Sequence, residues 1–91
     1  MKYEIKPSSQ FKKDVKLAQK RGYNLKLLTA VIEKLARGDT LEAKYKDHQL
    51  SGNFGYYREC NIQPDWLLIY EIEDNQLILY LSRTGAHSDL F

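Results

Sequence analysis

Cysteine is nearly absent. Cys60 stands alone among 91 residues, so no disulfide can form within the chain. A lone thiol fits a reducing cytosol. Long apolar runs are missing too. The longest, Trp66 to Tyr70, suits a buried strand and falls far short of the ~20 residues that a membrane span needs. The N-terminal stretch lacks the apolar core of a secretory leader. A cytoplasmic protein with no membrane partner is expected. There is no Gly-rich phosphate loop, no Ser-His-Asp arrangement and no close pair of metal ligands. Neither a metal nor another cofactor is expected. What remains is a globular composition, 43% hydrophobic with seven tyrosines, which fits one folded domain over residues 1–91.

Charge is small in sum and uneven in place. The net value is +2, but residues 1–37 hold ten Lys and Arg against three acids, while residues 38–91 hold four against nine. A basic N-terminal half suits contact with a polyanion or an acidic partner; a solvated lysine-rich helix face is the plainer reading.

The order of elements follows from periodicity and punctuation. Tyr3 and Ile5 alternate with charged neighbours, as in a short strand, and Pro7 ends it. Ser8 or Ser9 caps a helix running to about Arg21, with Phe11, Val15 and Ala18 as its apolar stripe and Leu17 beside it. Lys12, Lys13, Lys16 and Lys20 lie off that stripe. Gly22 suits the C-terminal cap. Asn24 caps a second helix to about Arg37, striped by Leu25, Leu28, Ile32 and Leu35, with Leu27 and Val31 widening it. The short Gly22-Tyr23 link makes these an antiparallel hairpin. Residues 40–50 read as a loop, and Gly52 and Gly55 bracket a turn. Three strands follow: Tyr56 to Ile62, Trp66 to Ile72 and Leu77 to Ser82, joined by turns at Pro64-Asp65 and Asp74-Asn75. The class is α+β: an N-terminal strand, a helix hairpin, then an antiparallel meander with the helices on one face.

Both histidines, His48 and His87, fall beside strand ends, as do Asp65 and Arg83. Two imidazoles, a carboxylate and a guanidinium form a set that RNA cleavage through the 2′-hydroxyl requires. One group takes the 2′ proton, another protonates the leaving 5′ oxygen, and a cation meets the charged phosphorane. The tail from Arg83 to Phe91 joins arginine, histidine and an aromatic ring that can stack on a base. Plainer roles exist for each. The tail can simply pack on the core, Asp65 can make only a turn, Arg58 and Glu59 suit cross-strand ion pairs, and Cys60 suits the core.

Four stretches taken together resemble one family. They are Lys46-Asp47-His48-Gln49-Leu50-Ser51-Gly52, Tyr57-Arg58-Glu59, Pro64-Asp65-Trp66-Leu67-Leu68-Ile69-Tyr70, and Arg83-Thr84-Gly85-Ala86-His87-Ser88-Asp89-Leu90-Phe91. With Lys13 to Arg21, they resemble the YafQ branch of the RelE/ParE toxin superfamily across essentially the whole chain. The resemblance implies a RelE-like RNase fold and a bacterial type II toxin that cuts mRNA in the ribosomal A site without a metal. It implies a cognate antitoxin, a complex of two toxins with two antitoxins, and rRNA around the bound enzyme, where Lys12, Lys13 and Lys16 would meet phosphates. The matching residues are His48, Asp65, Trp66, Arg83, His87 and Phe91. His87 would be the general acid, Arg83 the phosphate cation, and His48 or Asp65 the general base. Trp66 would bind substrate, and Phe91 would position it by stacking or through its terminal carboxylate. One departure stands out: Asn61 occupies a place where the pattern usually has histidine. Asparagine hydrogen-bonds RNA but cannot exchange a proton near neutral pH, so activity is expected to be reduced or carried by the other candidates. Two further readings stay open: a gyrase binder like the ParE branch, and a catalytically weakened relative that serves with its antitoxin as a repressor.

Overall fold

The computed structural model describes all 91 residues. Strand β1 (Glu4–Pro7) leads into helices α1 (Ser9–Lys20) and α2 (Leu25–Ala36). Then come β2 (His48–Gln49), β3 (Arg58–Gln63), β4 (Trp66–Glu73), β5 (Ile78–Gly85) and a single-turn helix α3 (His87–Leu90). The helix ends sit where the caps place them. The Ser8 side chain accepts from the Phe11 amide at 2.9 Å, and that of Asn24 from the Lys26 amide at 3.1 Å. Such a cap contributes about 1 kcal/mol. Past α1 the chain needs a left-handed residue, and Gly22 supplies it at φ +80°.

The five strands form one sheet in the order β1-β5-β4-β3-β2. The meander β2 to β5 is antiparallel, but β1 lies parallel beside β5, so the sheet is mixed. Both helices pack on one face. Phe11, Leu28, Val31 and Leu35 meet Cys60, Trp66, Leu68, Tyr70, Leu79 and Leu81 in a single core cluster. Burying each large apolar side chain contributes about 1.5–3 kcal/mol. The Cys60 thiol is fully buried, and burial pushes its pKa up to about 12, as suits an inert core residue.

Three features depart from the sequence reading. The expected loop over residues 40–50 contains β2, whose two residues pair with Glu59 and Arg58. Two polar residues are too short a pattern to register as a strand. A polar network holds them there: Arg58 donates to Asp47 at 3.1 Å, and the Tyr70 hydroxyl donates to the other Asp47 oxygen. The last strand runs three residues beyond the expected end at Ser82, so Arg83, Thr84 and Gly85 belong to β5. Within it, Tyr70 pairs with Leu81 while Ile69 pairs with Arg83, leaving Ser82 as an extra, bulged residue. Leu79 and Leu81 face the core. Simple alternation would send Arg83 the same way. The bulge turns it to the outer face beside Ile69 instead, the re-aiming that bulges perform near functional sites.

Candidate active site

Cross-strand pairing sets a row on the outer face of the sheet: His48 opposite Glu59, Glu59 opposite Ile69, Ile69 opposite Arg83. At the usual strand spacing His48 and Arg83 lie about 14 Å apart at their Cα atoms. The row therefore presents a base-like group at one end and a cation at the other.

Arg83 is held from behind. β1 ends at Pro7, opposite Leu81, and beyond it the open edge of β5 is met by Asp14 of α1. Asp14 accepts from Arg83 Nε at 2.8 Å and Nη2 at 3.2 Å, from the Thr84 amide at 3.1 Å and from Gln10 at 3.1 Å. It is a buried carboxylate, 8% exposed. Burial alone would favour its neutral form, but the hydrogen bonds from Arg83, Gln10 and Thr84 outweigh it and hold the carboxyl below its ordinary value. The same bonds hold the Arg83 guanidinium above its own. The sequence reading passed over Asp14. Its signal was available: an acid one turn from Phe11 and Ala18 on the apolar side of a lysine-rich helix.

α3 brings in His87 and Phe91. The Ala86 amide donates to Asp89 at 3.1 Å, and Arg21 at the end of α1 pairs with Asp89 at 2.6 Å. The arginine keeps the Asp89 carboxyl below its ordinary value. A Cβ at Gly85 would sit at ordinary contact distance from the Asp89 side chain, 3.4 Å, so α3 lies directly against the end of β5. The His87 and Phe91 rings lie 5.1 Å apart, and both residues are exposed. Asp65, on the turn between β3 and β4, accepts from the His87 amide at 3.4 Å. Arg83, His87, Phe91 and Asp65 thus gather at one end of the sheet.

His48 stands across from them with a defined ring orientation. Its Nδ1 lies 2.7 Å from the Lys46 carbonyl, which can only accept, so Nδ1 carries a hydrogen and donates there, leaving Nε2 for other partners. Nε2 lies 3.7 Å from the Glu59 carboxylate. Glu59 thus stands opposite a candidate base, placed to pair with the imidazole whenever that ring is charged. Asn61, two residues on in β3, donates to the Pro64 carbonyl at 3.4 Å.

Trp66 departs from expectation. It is 2% exposed and cannot touch a substrate. Its indole donates to Thr84 at 2.9 Å, Thr84 donates to the Leu67 carbonyl at 2.7 Å, and the ring packs 4.9 Å from Tyr23. It is a strut behind the site, joining β4 to β5 next to Arg83. Lys12, Lys13 and Lys16 are exposed along the outer side of α1 and line none of the clefts around the site. No three His, Cys, Asp or Glu side chains cluster as metal ligands would.

Known proteins resemble this chain in sequence and in fold. The mRNA interferase toxin YafQ of Escherichia coli K12 is 43% identical over 89 residues, covering 97% of this chain and 95% of that one. The E. coli DinJ–YafQ toxin–antitoxin complex contains a chain that superposes with a TM-score of 0.90 at 41% identity, covering 100% and 99%. A metal-bound toxin from Helicobacter pylori superposes with a TM-score of 0.92 at 45% identity, covering 98% and 99%. A model of the YafQ family, bacterial toxins of type II toxin–antitoxin systems, matches residues 3–91. Sequence and superposed fold agree on one conclusion: this chain belongs to the YafQ toxin family.

Proposed function

We propose that this protein is the toxin of a type II toxin–antitoxin pair and an mRNA endoribonuclease that works in the ribosomal A site. The observation that supports it most is the His48–Glu59–Ile69–Arg83 row on the sheet face away from the helices, with His87 and Phe91 closing one end. RNA supplies its own nucleophile, so the protein needs to move two protons and stabilise one charge. His48 Nε2 takes the 2′ proton, and Glu59 steadies the imidazolium that results. Arg83, clamped through Nε and Nη2, offers Nη1 to the phosphorane oxygens. His87 protonates the 5′ oxygen. Asp65 orients the first turn of α3 through the His87 amide and leaves the base role to His48. Asn61 contributes a hydrogen bond to RNA without proton transfer. No metal or other cofactor enters this scheme.

The exposed lysines of α1 add sequence-independent attraction to rRNA phosphates. The partners are the ribosome with its mRNA and a cognate antitoxin, in an assembly of two toxins with two antitoxins. No helix is long and apolar enough to cross a membrane, and ribosomes place the activity in the cytoplasm. The test is primer-extension mapping of mRNA on programmed ribosomes, with the unsubstituted protein beside Asn61→His. A metal-independent cut by either supports the nuclease. Silence from both, with gyrase inhibited, would replace it with a ParE-like binder.

A further inference from the structure

A cleft of about 350 Å³ lies against Arg83 on the outer face of the sheet. Phe54, Tyr57, Ile69, Leu90 and Phe91 form its apolar walls. Phe54 stands on the short turn Gly52–Phe54, which the catalytic scheme leaves unused. Its ring meets that of Phe91 edge-on, centroids 6.0 Å apart and planes at 84°. Both side chains are about half exposed, at 51% and 52%, and neither joins the core cluster. Leaving two of three phenylalanines in water forgoes burial that a small domain needs. An edge-on pair at a cleft mouth keeps ring surface free for a third flat partner.

The one charged side chain in the cleft is Arg83. Aromatic walls beside a lone cation match an unstacked nucleobase and its phosphate better than they match a helix or strand of another protein. The His87 ring also packs against Phe91, centroids 5.1 Å apart, so a base seated here belongs to a nucleotide adjoining the cut. The polar groups able to read a base edge are few: the hydroxyls of Tyr57 and Ser82, neither hydrogen-bonded within the protein as a donor, and that of Ser8, which donates to the Ser82 carbonyl. Selection therefore comes mainly from stacking area, which favours purines.

We propose that Phe54 and Tyr57, together with Phe91, form a slot for one flipped-out base next to the scissile phosphate, and that Phe54 sets the base preference of cleavage. This rests on the nuclease reading above. The experiment compares the unsubstituted protein with Phe54→Ala and Phe54→Trp on ribosomes whose A-site codons differ in a single base. Where only the Asn61→His form cuts, that form is the parent for all three. Phe54 is outside the core, so unchanged thermal midpoints are expected. Phe54→Ala should lower kcat/KM roughly 5- to 150-fold, the range for one missing stacking partner, and flatten the purine preference. Phe54→Trp should restore both. A cutting parent whose Phe54→Ala form keeps rate and preference would overturn the slot. So would a Phe54→Ala form that cuts normally but no longer binds antitoxin, since the cleft would then be a protein dock. A parent that never cuts defeats the nuclease reading itself, and the slot falls with it.

Discussion

Replacing Asp14 with asparagine probes whether the Arg83 clamp does more than hold the fold together. A hydrogen bond to a charged group contributes about 1.5–3 kcal/mol. Asp14 accepts two from Arg83 and one from the Thr84 amide. Asparagine keeps one oxygen for these donors and turns an NH₂ toward a guanidinium that also only donates. The Arg83 side chain is 35% exposed, so water relieves part of the loss. The expected destabilisation is about 2–3 kcal/mol. For a domain this small, that lowers Tm by roughly 8–24 °C yet leaves the variant folded at 25 °C. The Asp14 carboxyl is depressed in the folded state, so its contribution is full above its unfolded value of 3.8 and is lost as pH falls through the lower folded value. The stability gap between parent and variant should therefore close below about pH 4. Arg83, freed to wander, should cost tenfold to a hundredfold in kcat, about 1.4–2.8 kcal/mol of barrier. Urea titrations give the first quantity and single-turnover cleavage on ribosomes at 25 °C the second. Lost stability with an unchanged kcat would make the pair structural only. Unchanged values for both would show that Asp14 does not engage Arg83 in solution.

Other outcomes follow from the same geometry. His87→Ala should abolish cleavage while ribosome pelleting stays nearly intact; continued cutting would remove it as the acid. Changing Lys12, Lys13 and Lys16 to alanine should weaken ribosome binding and lower its salt slope by up to about 0.7–0.9 for each phosphate no longer neutralised, and an unaltered slope would point that side of α1 away from rRNA. Arg21→Ala releases Asp89 and should loosen α3, lowering kcat with Tm nearly constant because the pair is largely exposed. Faster amide exchange confined to residues 86–91 is the direct readout, and unchanged exchange would refute the tether.

Much of this protein is written locally. Ser8, Asn24 and Gly22 mark the helix ends, because a cap depends on neighbours two to four residues away. The turns at Pro64-Asp65 and Asp74-Asn75 are likewise short-range. The chemical set of His48, Arg83, His87 and Asp65 is legible because residue type fixes what a side chain can do with a proton or a phosphate. Three decisions were made only on folding. Which edge β1 takes depends on closing a chain of about seventy residues onto β5, which no local pattern encodes. The bulge at Ser82 reverses the side on which Arg83 emerges, and strand alternation read along the sequence points to the wrong face. Packing also assigned Asp14 and Trp66: the acid on a lysine-rich helix went inside to hold the arginine, and the tryptophan expected to bind substrate became a strut behind it. Burial and pairing are settled by surfaces far apart in sequence, so the residues named the chemistry while the packing decided which of them stand on the open face of the sheet.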